Sequence, residues 1–75
     1  MDKFFVNQVN NTQVIIGGVR LLKEFTTELI TVAVFGGTVN VCGQKLKIAR
    51  FDENEIEIVG KIENVETIHS GKRKV

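Results

Sequence analysis

The chain has 75 residues, one cysteine and one histidine, and ten basic against nine acidic side chains give it a formal net charge of +1. That length makes one domain with a modest core, and a single cysteine excludes an internal disulfide. The near-balanced charge provides no general attraction for nucleic acid or an anionic membrane, and one histidine with one cysteine falls short of a structural zinc site. We expect no metal and no cofactor, and association as the support of so small a fold.

The N-terminal part begins with a weak pattern and continues into a clear strand. Residues 3–9 are rich in apolar side chains and predict either a short edge strand or an unsettled arm. Residues 10–12 form a turn signal, because asparagine side chains bond readily to their own backbone. The β-branched run 13–16 ends at Gly17, the first of two glycines, which predicts a strand closed by a turn or a bulge.

Residues 19–25 fit two kinds of secondary structure. The apolar positions 19, 22 and 25 lie on one face of a helix about as well as they fit a strand. A helix here would have fewer than about two turns and would depend on tertiary packing. Because the segments on both sides are strands, we favour a strand.

A turn at residues 26–28 leads into residues 29–35, which are apolar on both faces. One face carries Ile30, Val32 and Val34. The other carries Leu29, Thr31, Ala33 and Phe35. A strand that is apolar on both sides is usually covered on both sides, and this chain is too short for two full layers. We therefore expect another copy of the protein to associate through this second face or through an open strand edge.

The central stretch predicts three strands with short reversals. The glycine pair 36–37 is a compact hairpin signal. Apolar side chains then alternate with polar ones in residues 38–42, 45–51 and 55–59. We expect a turn at Gly43 and Gln44 between the first two strands, and a reversal at residues 52–54 before the third.

The last two of these strands suggest a register. Placing Ile48 opposite Ile56 brings further apolar side chains together inside and sets Lys47 opposite Glu57 outside. Burial of the apolar side chains, at ~1.5 to 3 kcal/mol each, outweighs a surface ion pair. The inside of the sheet therefore sets the register.

Beyond Gly60 the apolar residues lose strict period two, which predicts a bulge near Glu63 and Asn64 in a final strand. Together these patterns predict an all-β fold, a small antiparallel meander or sandwich of about six to eight short strands. We expect this domain to span residues 1–70 and residues 71–75 to form a short, basic, disordered tail.

The order and spacing of these motifs resemble one family. The motifs are Val14 to Val19, Phe25 before the acidic turn, Gly37 to Val41, and Gly43 to Ile48 followed by Glu55 to Ile62. Over about residues 10–68 the chain is similar to the YabP/YqfC family of sporulation proteins. Its short loop at residues 51–55 is more similar to the YqfC branch. It departs from the pattern at Ile68 and His69, where an aromatic residue commonly follows the last strand.

This resemblance implies an all-β, non-enzymatic protein made in the mother cell of an endospore-forming bacterium. Its expected role is spore envelope assembly, in the coat or cortex, through self-association and binding of a membrane-anchored partner similar to YqfD. The location would be the mother-cell cytoplasm, at the forespore surface or in the coat. The N-terminus lacks the basic start and apolar core of a signal peptide, in agreement with that location.

The residues that carry reactive groups have simpler interpretations. Cys42 as a nucleophile would need a neighbouring base, and the lone His69 is far away in sequence, so we interpret both as ordinary side chains. The acidic side chains around residues 52–57 lack the spacing of a calcium loop and indicate a solvated hairpin tip. The tail residues Lys72, Arg73 and Lys74 are candidates for contact with an anionic surface, at ~1 kcal/mol per charge.

Three functional hypotheses remain. We favour the structural role in the spore envelope, with a homodimer as the simplest assembly and neither nucleic acid nor a small-molecule substrate as a partner. The alternative is a small nucleic-acid-binding β-barrel, a function that requires exposed aromatic side chains and a positively charged groove. The chain has no tryptophan or tyrosine, and its five phenylalanines mostly occupy apolar positions. An enzyme is disfavoured because no nucleophile and base, and no metal ligands, occur together.

Overall fold

The computed structural model describes residues 3–69, which contain β-strands and no helix. The strands are β1 (Phe5–Asn10), β2 (Gln13–Gly17), β3 (Val19–Phe25), β4 (Leu29–Val34), β5 (Gly37–Asp52) and β6 (Glu55–His69). They form one antiparallel sheet in the order β1-β2-β6-β5-β4-β3. The predicted all-β class is confirmed, as are the strand at 19–25 and, for the N-terminal segment, the edge strand. The predicted tail at 71–75 lies outside the described residues.

The hairpin of β5 and β6 organises the sheet. These strands have 16 and 15 residues, so they are long rather than short, and each contributes to two layers. The first layer contains β1, β2, residues 55–59 of β6 and residues 47–52 of β5. The second layer contains β3, β4, residues 37–42 of β5 and residues 62–69 of β6. The sheet therefore rolls over on itself, with the core between the two layers.

The predicted turn at Gly43 and Gln44 is wrong, because β5 continues through it as a bent strand. Gly43 lies against the backbone carbonyl of Lys61, so a side chain has no room there. Across the bend, Gly60 adopts a φ of 134°, and a Cβ on it would lie 2.6 Å from the carbonyl oxygen of Lys45. Glycines at these two positions allow the strands to bend together instead of reversing.

Bulges supply the curvature of the hairpin. Two residues, Lys45 and Leu46, stand opposite Gly60 alone, and Lys45 has a φ of 54°. Glu63 is an extra residue between the pairs that Ile62 and Asn64 make with β5, which confirms the predicted bulge. Bulges bend a strand and increase its twist, as this rolled shape requires.

Two turns brace the bend from outside. The β1–β2 turn contacts β6, and the turn between β3 and β4 contacts β5. In each contact a backbone N–H of the bend donates to a carbonyl of the turn. The pairs are Gly43 to Glu28 (3.0 Å), Leu46 to Thr27 (2.8 Å), Gly60 to Thr12 (3.2 Å) and Ile62 to Asn11 (2.8 Å). These bonds satisfy donors that the bulges remove from the regular ladder.

The core is entirely aliphatic. Its side chains come from alternate positions of the strands, as the period-two pattern predicts. They are Val14, Ile16, Val19, Ile30, Val32, Val34, Val39, Val41, Leu46, Ile56, Ile58 and Ile62. Branched side chains suit a strand surface because their χ1 freedom is already restricted.

The predicted register of the β5–β6 hairpin is wrong. Ile48 stands opposite Ile58 rather than Ile56, and Glu57 stands opposite Arg50 rather than Lys47. The Arg50 Nε lies 3.5 Å from a Glu57 carboxylate oxygen, so the surface ion pair exists with a different partner.

The turn and one bulge explain this register. A two-residue turn with Glu53 at a φ of 52° pairs Asp52 with Glu55. Ala49 is then an extra residue in β5, which restores apolar side chains to the inside. Turn length fixes the register first, and the bulge reconciles it with burial.

We expect Ile58→Asp to unfold or aggregate the domain, while Glu57→Gln leaves it almost unchanged. Ile58 is fully buried, and an unpaired buried carboxylate costs several kcal/mol, out of a total stability of about 5 to 15 kcal/mol. Glu57 is half-buried on the outer surface and pairs with a partly exposed Arg50, which is worth about 1 kcal/mol or less. Thermal melts followed by circular dichroism compare the two. Equal shifts in melting temperature would mean that the assigned faces are wrong.

A second pair of variants tests the bend. Gly60→Ala combines an unfavourable φ with a backbone clash, whereas Gly36→Ala has a φ of 86° but no atom within 4 Å of the added Cβ. We expect Gly36→Ala to cost about 1 kcal/mol and Gly60→Ala clearly more. Urea unfolding measures both. A smaller loss for Gly60→Ala than for Gly36→Ala would contradict the close packing of the bend.

Candidate functional site

The residues predicted to form an interface lie together on the outer face of the second layer. Leu29, Thr31 and Ala33 alternate along β4 with fully buried neighbours, and Phe35 follows the end of the strand. All four side chains are half-buried. The described chain therefore leaves this side of β4 partly open, as the two-faced pattern predicts.

Neighbouring strands extend this face into a mostly apolar row. Leu21 pairs with Ala33, Ala33 with Thr38, and Thr38 with Ile68. Directly paired residues project to the same side of a sheet, so the row crosses all four strands of the second layer. Leu21 is 54% exposed and Ile68 is 47% exposed, whereas Ala33 and Thr38 between them are half-buried.

A polar row lies next to the apolar one. Thr31 pairs with Glu24 on one side and with Asn40 on the other, and Asn40 pairs with Glu66. The Thr31 hydroxyl donates to the Asn40 side-chain oxygen at 2.9 Å. The third row, formed by Leu29, Cys42 and Asn64, is mixed. The outer face, defined by these three rows, therefore has one apolar edge and an acidic residue at each end of its middle row.

Phe35 differs from the other predicted interface residues. The Arg20 guanidinium carbon lies 5.6 Å from the centre of its ring, and its backbone N–H donates to the Gly18 carbonyl at 3.1 Å. Arg20 and Leu21 also line a shallow cleft of about 380 Å³ beside Ala33. Because Arg20 partly covers the ring, Leu21 replaces Phe35 as the most accessible apolar side chain of the outer face.

The side chains with reactive groups lie apart from one another. Cys42 is half-buried between Leu29 and Asn64, and His69 stands at the far end of β6 with its ring 6.1 Å from that of Phe4. Within residues 3–69 no group of three or more His, Cys, Asp or Glu side chains is arranged to hold a metal ion.

The acidic hairpin tip forms a small cleft with the start of the chain. The cleft, about 270 Å³ in volume, is lined by Phe5, Gly17, Gly18, Asp52, Glu53, Asn54 and Glu55. Arg50 reaches Glu55 at 3.7 Å as well as Glu57, so part of the negative charge is compensated. The candidate anionic-surface residues Lys72, Arg73 and Lys74 lie outside the described part of the chain.

Three of the five phenylalanines are about half exposed, although they occupy apolar positions of the sequence pattern. They are Phe5 (51%), Phe25 (52%) and Phe51 (45%). Phe25 and Phe51 pair with the buried residues Ile30 and Ile56, so they stand on the core-facing side of their strands. The core is therefore incompletely covered at these two positions.

The structure defines a small all-β domain, one antiparallel sheet rolled into two layers, with apolar side chains exposed on its outer face. The chain belongs to the YabP family, whose model matches residues 6–74. This confirms the family predicted from the motifs, and membership is consistent with a role in sporulation. The match covers the family as a whole, so the closer likeness to the YqfC branch stays a prediction. No curated protein and no solved structure matches the chain. Residues 3–69 contain no helix that would span a bilayer.

Proposed function

We propose that this YabP-family protein is a non-enzymatic structural component of spore envelope assembly. It acts by self-association and by binding a membrane-anchored sporulation partner similar to YqfD. The proposed location is the cytoplasm of the mother cell, at the forespore surface or in the coat. The observation that carries the proposal is the outer face, which offers a row of three apolar side chains and one threonine on a domain of a sporulation family.

Self-association follows from the energetics of the outer face. Leu21 and Ile68 are each about half exposed, and burying the rest of such side chains is favourable by about 1 kcal/mol each. A two-fold dimer repeats every contact, which doubles this gain. A small core without disulfide support benefits from the additional burial. The assembly is therefore proposed to be a homodimer through the outer face.

In an envelope layer, dimerisation would strengthen attachment to the membrane. A dimer with two identical partner sites binds a membrane carrying many anchored partners more tightly than a monomer, because the second contact is intramolecular. The tail residues Lys72, Arg73 and Lys74 would add a weak attraction to anionic lipid. No nucleic acid and no small-molecule substrate is required by this role.

Leu21→Glu tests the interface better than Phe35→Glu, because Arg20 beside Phe35 would pair with a carboxylate introduced there. We expect the unmodified protein to be a dimer at tens of micromolar and Leu21→Glu to be a monomer with an unchanged β spectrum. Val9→Glu is the matched control, since Val9 is 52% exposed on β1, outside the outer face. Sedimentation equilibrium measures the mass, and a monomeric unmodified protein would refute the dimer.

The biological role has its own test. In an endospore-forming host, deletion of the gene should produce spores with a defective envelope, and the unmodified gene should restore them. Leu21→Glu should restore them poorly and Val9→Glu fully. Normal spores from the deletion strain would contradict the proposed role even if the protein dimerises.

A further inference from the structure

A seam runs along one side of the roll, between β3 and the second half of β5. The two segments run in opposite directions and are joined at both ends. At one end the Val19 N–H donates to the Asn54 carbonyl at 2.9 Å, and at the other the Leu46 N–H donates to the Thr27 carbonyl at 2.8 Å. Between these points β3 pairs only with β4, and residues 47–52 pair only with β6. We call this gap the seam.

Both edges of the seam contain bulges. Arg20 and Lys23 are extra residues of β3 relative to β4, and Ala49 is an extra residue of β5 relative to β6. A bulge breaks the regular spacing of backbone donors and acceptors along a strand. The facing edges therefore do not match over the length between their joined ends, and both keep free backbone groups.

Four apolar side chains line the seam from the core side: Leu22, Phe25, Ile48 and Phe51. Their paired neighbours Val32, Ile30, Ile58 and Ile56 are fully buried. Leu22 and Ile48 pack against the core and are half-buried, whereas the two phenylalanine rings are about half exposed. Side chains on the inner face of a sheet are normally covered, so their exposure marks an unfilled place in the core.

Positive charge is concentrated on the two strands that form the seam. Residues 19–25 and 47–52 hold four of the seven basic side chains among residues 3–69, but only two of the eight acidic ones. The four are Arg20, Lys23, Lys47 and Arg50. Arg20 lies over the Phe35 ring and Arg50 pairs with Glu55 and Glu57, so the two lysines supply the positive charge at the edges of the seam. The seam is therefore apolar on its core-facing side and basic along its edges.

We propose that the seam binds an extended segment of a partner protein in which apolar residues alternate with acidic ones. Alternate side chains of an extended chain point in opposite directions. The apolar residues of the segment would therefore pack on the apolar side chains of the seam, while its carboxylates pair with the lysines at the edges. Its backbone would bond to the free edges. The proposal rests on the proposed function, because it states the chemistry by which the partner is recognised.

Two other occupants fit less well. The acidic residues Glu63 and Glu66 of a second copy belong to β6, whose apolar side chains Ile62 and Val65 already pack on their own core. Nucleic acid bases stack on aromatic rings displayed on an outer sheet surface. Phe25 and Phe51 instead stand on the core-facing side, beside aliphatic neighbours.

The probe is a synthetic peptide as long as β3, which has 7 residues, alternating glutamate with valine and carrying one tryptophan. The protein has no tryptophan or tyrosine, so the peptide alone supplies the indole fluorescence. We expect saturable binding that weakens as salt increases. The same peptide with lysine in place of glutamate should bind at least about tenfold more weakly.

Variants locate the site. Phe51→Ser and Lys47→Glu should each weaken binding about tenfold. Phe5→Ser and Lys61→Glu are the matched controls, since Phe5 is 51% exposed and Lys61 is exposed, and both lie outside the seam. Lys47→Glu changes an exposed side chain, so the test stands even if Phe51→Ser is unstable.

The proposal is overturned by equal binding of the two peptides, by equal loss in seam and control variants, or by a single-stranded RNA oligonucleotide that displaces the glutamate peptide. A loss of dimer mass in Phe51→Ser and Lys47→Glu, without loss of peptide binding, would assign the seam to a second copy and also overturn it. The failure of peptide binding leaves the dimer and the spore phenotype unchanged, so the two proposals fail separately.

Discussion

The close approach of two backbones at the bend of the β5–β6 hairpin is the constraint on which the rest of the fold depends. Gly43 touches the backbone of Lys61, and Gly60 touches that of Lys45, so neither position has room for a side chain. Because the hairpin bends there, its two halves carry β2 and β4 into facing layers and create the core. The same bend leaves edges that do not pair, including the seam.

Period-two patterning is sufficient to predict most strands, and it becomes ambiguous where a strand bulges or bends. A bulge adds a residue without ending a strand. Arg20 and Lys23 are such residues, so Val19, Leu22 and Phe25 lie on one face of a strand although their spacing of three also suits a helix. Glycine is equally compatible with a turn and with a bent strand, so the pattern at Gly43 predicts a reversal where the strand in fact bends. The turn at residues 26–28, which is distant in sequence, contacts the backbone at Gly43 and favours the bent strand over a reversal.

The candidate surface was only partly predictable for a related reason. The alternation in β4 predicted its own outward side chains, Leu29, Thr31 and Ala33. It contained nothing about Leu21 and Ile68, because cross-strand partners depend on pairings that a single sequence does not specify. The sequence pattern does not predict the exposure of Phe25 and Phe51, because an apolar residue in a strand pattern is assigned to the core. Whether that core position is covered depends on the next strand, and at the seam there is none.

Amide hydrogen exchange at the bend is the most direct test of this account. The N–H groups of Gly43, Leu46, Gly60 and Ile62 all donate to carbonyls of the bracing turns. If the bend is the packed centre of the fold, these four amides exchange only through global unfolding and are among the slowest in the protein. Exchange as fast as in the exposed turn at Glu53 would show that the bend is a loose joint, and would contradict the account.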